Sequence, residues 1–314
     1  MSDKPDYAKA MSDKPPIMVV GSSNTDMSVK TDHVPQPGET IMGGAFFMAH
    51  GGKGANQAVA AARLGGEVTF VARIGRDMFG DEAISGLEKE GIDTRFIVRD
   101  PDEASGVALI FIDRKGENVI VVAPGSNSRL SPEDVNRAAD RMALCRALVL
   151  QLEAPLNTVE HAAKLAHEKG VKVVLNPAPM PAEGLPGGML EAVDVLVPNE
   201  SEARSLLGLK ADEPIDEKSA RGLLKRVKCA VVTLGSEGVL VVTPEGVHRL
   251  TAPKVEAVDT VGAGDAFVGA LTVELSSGRS LMDSADFAQK AAAISVTRMG
   301  AQPSSPTAEE VALF

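Results

Sequence analysis

The string VDTVGAGDAFVGAL, residues 258–271, combines small residues with a carboxylate in an order that suits phosphoryl transfer. Gly262, Ala263 and Gly264 would open a helix, where backbone N–H groups and the helix dipole can hold an anion without a basic side chain. Asp265 follows in the first turn, so a carboxylate that can take a hydroxyl proton would lie beside that anion. Helix capping explains Asp265 equally well on its own, but the whole string favours a phosphoryl-transfer site.

A second glycine-rich string, HGGKGANQAVAAARLG, leads into another predicted helix. Its glycines would let a ligand approach the backbone closely, and its lysine and asparagine offer hydrogen-bond donors at the helix start. The residues concerned are Gly51, Gly52, Lys53, Gly54 and Asn56. The string lacks the GxxxxGK[ST] spacing of a Walker A loop, and Lys53 considered alone fits a solvated lysine. We interpret the string as a binding segment of another kind.

Polar side chains also follow three predicted strands. They are Asn24 and Asp26 after IMVVGSS, Glu153 after ALVLQ, and Asn199, Glu200 and Glu202 after DVLVP. Ligands of open parallel sheets bind outside the carboxyl ends of the strands. Capping explains each cluster more simply when it is taken alone, but their joint occurrence indicates a binding site at this edge.

Residue spacing argues against several other chemistries. The histidines, at positions 33, 50, 161, 167 and 248, form no metal-ligand pattern, and the chain has neither a GxSxG nucleophile elbow nor a GxGxxG dinucleotide fingerprint. A dinucleotide-dependent dehydrogenase is therefore disfavoured. Cys145 and Cys229 lack CxxC spacing, which favours two buried thiols in a reducing compartment.

Composition limits the partners of the chain. The 314 residues carry 32 basic and 43 acidic side chains, a net charge of −11, which argues against nucleic acid as a partner. No apolar run approaches the roughly 18 residues of a membrane span, and residues 1–16 lack the features of a signal peptide. We therefore expect a soluble, cytoplasmic protein. With no Trp and a single Tyr, its ligand recognition should be polar.

The elements that must position these residues alternate between strand and helix. We predict an α/β fold with a doubly wound, mostly parallel sheet covered on both faces. Helices are predicted over 51–65, 77–91, 131–146, 157–169 and 200–207, with two more from about 263 and 282. We expect an unstructured leader over 1–16, an α/β body formed by 17–24, 51–103 and 124–314, and a small β layer formed by 25–50 and 104–123. The second β segment should form a hairpin with its turn at 114–116.

Eight strings, in order along the chain, resemble the ribokinase-like (PfkB) family of sugar and nucleoside kinases. They are GSSNTD, GGKGAN, QLE, LNPAP, PNESEA, TLGSEG, DTVGAGD and VTRMGAQPS. GGKGAN and DTxGAGD are the two signature regions of that family and are specific as a pair; the resemblance runs from about Ile17 to Ser304. It implies the ribokinase-like fold, in which the β layer is a lid over the sugar and the usual homodimer interface.

The resemblance implies that ATP phosphorylates D-ribose at O5 by direct in-line transfer. Asp265 matches the general base, and the amides of Gly262, Ala263 and Gly264 match the anion hole. The positions that match the sugar-binding set are Asn24, Asp26, Gly52, Lys53, Asn56, Glu153 and Asp265. Those that match nucleotide-binding positions are Asn199, Thr233, Gly235, Ser236, Gly238, Gly264 and Gln289.

The resemblance also implies two metal sites. Glu202 belongs to an NxxE motif associated with Mg²⁺, held through water. The residues that match a K⁺ site, which activates family members, are Asp259, Val261, Ser295, Arg298, Gly300 and Ser304.

Other functions remain open at this stage. The substrate could be another small sugar, of fructose or deoxyribose type, or a nucleoside whose base meets Phe46, Phe47 and Met48 of the lid. The polar set around Asp26 favours a free pentose. A non-catalytic sugar-binding protein on the same fold is disfavoured by the intact string at Asp265.

Overall fold

The computed structural model describes residues 14–114, 118–186 and 188–314. Thirteen strands lie within these ranges. They are β1 (Pro16–Val20), β2 (Asn24–Lys30), β3 (Phe46–Gly51), β4 (Glu67–Gly75), β5 (Asp93–Asp100), β6 (Gly106–Ile112), β7 (Asn118–Ala123), β8 (Ala147–Leu150), β9 (Lys172–Leu175), β10 (Val195–Leu196), β11 (Cys229–Thr233), β12 (Val239–Thr243) and β13 (Gly246–Leu250).

The α-helices of the same ranges alternate with the strands of the larger sheet. They are α1 (Lys53–Arg63), α2 (Met78–Lys89), α3 (Pro132–Asn136), α4 (Ala139–Met142), α5 (Leu156–Glu168), α6 (Glu200–Leu207), α7 (Glu217–Ala220), α8 (Ala263–Ser276), α9 (Leu281–Ser295), α10 (Ala301–Ser304) and α11 (Ala308–Leu313).

Nine strands form one sheet in the order β13-β12-β11-β10-β9-β8-β1-β4-β5. The pairs from β5 to β11 are parallel, and β12 and β13 add an antiparallel edge. Alternate residues of β1 enter opposite cores: Met18 packs with the side of α3 to α7, and Val19 with the side of α1, α8 and α9. The predicted doubly wound α/β fold is confirmed.

A second sheet, which we call the lid, has the order β3-β2-β6-β7. The β6 and β7 strands form the predicted antiparallel pair, and β2 joins β6 in parallel. Asn24, at the start of β2, is opposite Gly51 and Gly106, so the lid begins at the edge of the large sheet where β1 ends. The strand that leaves the body thus carries polar residues directly over that edge.

Two local expectations need correction. The helix predicted over 131–146 is interrupted, because the Ala138 N–H bonds to the carbonyl of Val135, three residues back, and tightens the turn between α3 and α4. The β5 strand was not predicted, since the apolar run in its sequence DTRFIVRD is only three residues long and is flanked by charged residues. It is the last strand of the sheet, where charged residues are usual.

The predicted leader and hairpin turn are described only in part. Residues 1–13 of the leader lie outside the described residues, and β1 already begins at Pro16. Of the predicted turn at 114–116, residues 115 and 116 also lie outside them.

Candidate active site

A cavity of about 1110 Å³ lies beyond the carboxyl ends of β9, β10 and β11, at the start of α8. This is the edge at which an open parallel sheet binds its ligands. Many sequence-predicted residues line it: Lys53, Asn199, Glu202, Thr233, Gly235, Ser236, Gly238, Gly262, Ala263, Gly264, Asp265 and Gln289. Segments more than 200 residues apart in the chain therefore meet in one space.

The Asp265 carboxylate lies in the first turn of α8 and is buried. It does not cap its own helix. Instead, Asn56 Nδ2 donates to Oδ2 at 3.0 Å and Gln57 Nε2 donates to Oδ1 at 2.9 Å. Burial raises the pKa of Asp265, although Lys53 and the two amide donors oppose the rise. The result is an oriented carboxylate with an increased affinity for a proton.

The turn before Asp265 separates two roles for glycine. Gly262 has φ 77°, and a Cβ there would lie 2.7 Å from Ala301 Cα, so the chain itself requires this glycine. A Cβ at Gly264 would meet no atom within 4 Å, so its small size leaves open space in the cavity. The Ala263 N–H was predicted to be available to an anion. It instead donates to the Thr260 carbonyl at 3.3 Å.

Lys53 and Glu153 meet beside Asp265. The Glu153 Oε2 atom accepts from the Ser22 hydroxyl at 2.5 Å and from the Lys53 backbone N–H at 2.9 Å, which ties β1, α1 and the end of β8 together. Burial would lower the pKa of the Lys53 ammonium, but the carboxylates of Asp265, Glu153 and Glu202 raise it above its usual value. Lys53 is thus a stable cation among acids.

Two lid residues complete the polar cluster. Asn24 Oδ1 accepts from Asn127 Nδ2 at 2.8 Å, which holds the start of β2 in place. Burial, with the charges of Glu153 and Asp265, raises the pKa of Asp26 to about 6. Asn56, in the same cluster, keeps a buried Oδ1 with no hydrogen-bond partner among the described residues. These atoms could receive the hydroxyl groups of a ligand.

Packing of the chain requires the glycines before and within α1, and the predicted close approach of a ligand there stays a prediction. A Cβ at Gly51 would lie 2.2 Å from the Asp26 carboxylate, and one at Gly54 would lie 2.5 Å from the Ser22 nitrogen. Gly52 has φ 87° and would meet the Asn24 nitrogen. Close packing of the chain on itself therefore demands these glycines, and it also brings the binding residues together.

Sequence reasoning missed a chain of buried amides behind Asp265. Gln57 is fully buried; its Nε2 also lies 3.1 Å from Asn176 Oδ1, and its Oε1 accepts from Gln151 Nε2 at 2.6 Å. The signal was available, since Gln57 and Gln151 lie inside the strings GGKGANQ and QLE. Only the fold reveals that Gln57 bonds to Asp265 and that Gln151 bonds to Gln57.

The nucleotide-side candidates are held by backbone contacts. Asn199 and Glu202 form a reciprocal capping box at the start of α6, with Glu202 Oε2 accepting from the Asn199 N–H at 2.8 Å. Thr233 bridges to Asn199 in parallel. Gly235 has φ 56° and open space at its Cβ position, while a Cβ at Gly238 would strike the Leu250 carbonyl. The capping interpretation of Asn199 is correct, and it leaves Glu202 facing the cavity.

Gln289, on α9, is buried against the wall of the cavity. Neither its side-chain nitrogen nor its oxygen has a partner among the described residues. An unpaired buried amide costs about 1–3 kcal/mol per polar atom. A ligand edge that carries both a donor and an acceptor would satisfy it.

The candidate metal residues differ in kind. Among the described residues, no group of three or more His, Cys, Asp or Glu side chains could hold a metal ion. Both Glu202 oxygens already accept from Asn199, at 2.8 and 2.9 Å. This fits Mg²⁺ held through water and ligand phosphates, as Mg²⁺ prefers.

Of the predicted K⁺ residues, three are in contact beside the turn at Gly262: Asp259, Val261 and Gly300. Asp259 accepts from the N–H groups of Val261 and Gly300 at 3.0 and 2.8 Å. The Arg298 guanidinium pairs with Glu310 at 2.5 Å, so Arg298 offers a cation only its carbonyl. Ser295 and Ser304 are buried, and each donates to a backbone carbonyl of its own helix or turn. Hydroxyl lone pairs and carbonyl oxygens fit a monovalent cation.

Within the described ranges, no helix is both long and apolar enough to cross a bilayer.

Comparison with known proteins gives concordant results. Residues 14–308 match the pfkB family of carbohydrate kinases. The chain is 42% identical over 300 residues to a ribokinase of Haemophilus influenzae, covering 95% of this chain and 97% of the other. It is 40% identical over 296 residues to a deoxyribokinase of Salmonella typhi, covering 94% and 96%. The structure of Arabidopsis thaliana ribokinase complexed with ribose and ATP superposes with a TM-score of 0.86 at 31% identity, covering 95% and 98%.

Proposed function

This chain belongs to the pfkB family of carbohydrate kinases, and from that membership we propose that it transfers the γ-phosphoryl group of ATP to O5 of D-ribose. The products are ADP and D-ribose 5-phosphate. The observation that carries the proposal is the position of Asp265, a buried carboxylate with a raised pKa where the polar cluster meets the large cavity. A base at that junction can reach both an acceptor hydroxyl and a phosphoryl donor.

Asp265 is the general base of this reaction. It takes the proton of the ribose 5-hydroxyl as the oxygen attacks the γ-phosphorus, and the bond to the ADP oxygen breaks on the opposite side. The buildup of charge on the transferred group is met at the start of α8, where Gly262 and Gly264 offer N–H groups and Gly264 leaves room. The engaged Ala263 N–H contributes less to this anion hole than the two glycines.

The sugar is held by its hydroxyl groups. Asn24, Asp26, Gly52, Lys53, Asn56 and Glu153 form the binding set. The unpaired Asn56 Oδ1 supports this assignment, since a buried acceptor without a partner is costly and a sugar hydroxyl would satisfy it. Such a site rejects sugars that lack a hydroxyl, because their protein partners then stay unpaired.

The large cavity takes the nucleotide. Asn199, Thr233, Gly235, Ser236 and Gly238 contact its phosphates and ribose, and the unpaired Gln289 amide faces the adenine edge. Glu202 holds Mg²⁺ through water, and Mg²⁺, when bound, neutralises charge on the phosphate oxygens.

A bound K⁺ would activate the enzyme from behind the anion hole. Asp259, Ser295 and Ser304, with the backbone oxygens of Val261, Arg298 and Gly300, form its site. Gly262 packs against Ala301, between Gly300 and Ser304, so occupancy of this site would bear on the position of the anion hole.

The protein acts as a cytoplasmic homodimer that pairs through the lid. Cys145 and Cys229 are free thiols, which fits a reducing compartment. The lid exposes large apolar side chains, including Phe46, Met48 and Val121. A surface of this kind is typical of a protein interface.

Deoxyribose is the second candidate substrate, because a deoxyribokinase is as similar to this chain as several ribokinases are. ADP release with ribose, 2-deoxyribose, fructose and nucleosides, with and without K⁺, distinguishes them. Asp265→Asn should lower turnover about 10²- to 10⁴-fold. The matched control is Asp283→Asn, which changes an exposed acid in the first turn of α9. Full turnover by Asp265→Asn, or turnover of another sugar without ribose activity, would contradict the proposal.

A further inference from the structure

A second cavity, of about 290 Å³, lies along β5 and shares no lining residue with the large cavity. Four arginines line it: Arg76, Arg95, Arg99 and Arg137. The other lining residues are Phe96, Ile97 and Val98. No acidic side chain is among them, in a chain whose net charge is −11. The concentration of positive charge is therefore local and opposite to the charge of the molecule.

Two of the four guanidinium groups are already neutralised. Arg95 makes a two-pronged contact with Asp93, at 2.8 Å through each prong. Arg99 bonds to the Gly75 carbonyl and pairs with Asp81 at 2.7 Å. These contacts hold the Arg95 and Arg99 side chains in place and so orient their remaining N–H groups.

The other two guanidinium groups are less engaged. The Arg76 side chain has no hydrogen bond or ion pair to any described residue. Among the described residues Arg137 pairs only with Asp134, at 3.9 Å, and that carboxylate also accepts from Arg73 at 2.9 Å. Arg76, from the end of β4, and Arg137, from the turn after α3, thus line the same small space with most of their donors unused.

Protection of a sheet edge would explain part of this arrangement, because β5 is the last strand of its sheet. Charges that only repel other strands need not converge, and two sequence-distant arginines, Arg76 and Arg137, are not on β5 at all. Arg95 lies 5.9 Å above the Phe96 ring, which gives the cavity an apolar wall. Convergence from three elements is the property of a binding site.

We propose that this cavity binds a small phosphate-class oxyanion, either free phosphate or the phosphate of an ester. Guanidinium groups match the geometry of phosphate oxygens and bond to them in pairs. The volume admits a phosphate with a small substituent. The site is independent of the kinase chemistry proposed above.

Amide NMR titration localises the binding. Inorganic phosphate should shift the amide signals of Phe96, Ile97 and Val98 in a saturable manner, and ribose 5-phosphate forms a second arm that distinguishes an ester from the free ion. Sodium chloride at equal ionic strength is the control for screening. The amide of Gly264 reports separately on the active site. Equal shifts with chloride, or shifts at Gly264 alone, would overturn the proposal.

A double variant tests the two less engaged guanidinium groups, those of Arg76 and Arg137. Arg76→Gln with Arg137→Gln should weaken phosphate binding at β5 by about tenfold or more, since each charge-assisted bond is strong. The matched control is Arg221→Gln with Arg226→Gln, which removes two exposed arginines far along the chain. Both double variants should keep the wild-type turnover. Unchanged affinity in the first variant, or an equal loss in the control, would contradict the site.

Discussion

At the scale of the residue, the feature that organises the site is the crowding of carboxylates. Asp26, Glu153 and Asp265 lie close enough for their charges to interact, with Lys53 among them. Burial and mutual repulsion raise the pKa of Asp26 and Asp265, while amide donors hold Asp265 in one orientation. Two consequences can be measured separately.

Gln57 should adjust the pKa of Asp265, the proposed base, without contacting the substrate. Its N–H lowers the pKa of Asp265 by stabilising the ionised form, so Gln57→Met should raise that pKa. Because the base acts when ionised, activity is lost as pH falls through its pKa, and the acid limb of kcat/KM should move to higher pH. A charge-assisted bond corresponds to about one pH unit or more.

The control for Gln57→Met is Thr272→Val, which removes another buried polar group, seven residues beyond Asp265 on α8. Both variants should lose thermal stability, but only Gln57→Met should shift the pH profile. A fall in stability with an unchanged acid limb would reduce Gln57 to a structural residue.

The ionised Asp26 carboxylate should lower the stability of the protein and strengthen ribose binding. Its folded-state pKa is about 6 against 3.8 in the unfolded chain, so its contribution to stability is full at low pH and is lost as pH rises through 6. The Asn side chain of Asp26→Asn stays neutral at both pH values. The free energy of unfolding of this variant, relative to that of the wild type, should therefore be higher at pH 7.5 than at pH 5 by about 1 kcal/mol, after allowance for partial exposure. Urea unfolding at both pH values measures this.

The same variant should bind ribose more weakly, because the ionised carboxylate accepts hydroxyl protons better than an amide does. Asp212→Asn is the control, since Asp212 is exposed and has no hydrogen bond or ion pair within the described residues. A pH-independent difference between Asp26→Asn and the wild type would show that Asp26 is not held at a raised pKa.

At the scale of the element, the start of α8 does two different things with two glycines. Gly262 lets the chain enter the helix with a positive φ against Ala301, and Gly264 keeps the cavity open. The helix itself is almost entirely buried beyond its first turn, which makes its N-terminus a rigid platform. Packing and ligand binding are therefore separable by substitution.

Gly264→Ala should fold normally, because its new methyl group meets no atom within 4 Å. It should lower kcat/KM for ATP by about tenfold or more, since a small displacement of the phosphates slows the transfer step. Gly262→Ala should instead lose about 1–2 kcal/mol of stability through its positive φ and its contact with Ala301. Thermal melts and ATP titrations of both variants test the contrast, and destabilisation by Gly264→Ala would refute it.

At the scale of the whole molecule, the two faces of the lid differ. Residues directly opposite in neighbouring strands share a face, so Asp26 lies with Ala108 and Val122 on the face that carries the polar cluster. The other face carries the row Met48, Met27, Leu109 and Val121. Within the described residues, three members of this second row stay substantially exposed: Met48, Leu109 and Val121.

Val121→Lys should therefore weaken the proposed dimer, because it puts a charge into this apolar row at its β7 end, where Val121 is 57% exposed. Sedimentation should change from twice the chain mass of 32.7 kDa toward that mass. Leu144→Lys is the control, since Leu144 is exposed outside the lid. A wild-type chain that sediments as a monomer, or a Val121→Lys variant that stays dimeric, would refute the interface.

Local patterns in the chain were enough to predict the doubly wound fold and several residues that line the large cavity. Glycines next to donors, and polar residues after apolar strands, single out Asp265, Lys53 and Asn199 because helix starts and strand ends have fixed hydrogen-bonding needs. Their roles in the reaction remain predictions. The same patterns did not predict β5, because the charged residues of this edge strand obscure its apolar pattern. They also did not predict the break in the helix at Ala138. A local sequence pattern reports the propensity of a segment. Sheet edges and helix breaks depend on the elements that pack beside the segment.

Only the tertiary structure decided which partner each polar atom meets. The bonds from Gln57 to Asp265 and from Ser22 to Glu153 span 208 and 131 residues, so no local pattern could predict them. It also decided that the glycines around Lys53 accommodate the chain's own atoms and that Gly264 alone of its turn stands open. Residue type determines what chemistry is possible, whereas long-range packing determines the distances and burial on which pKa and reactivity depend.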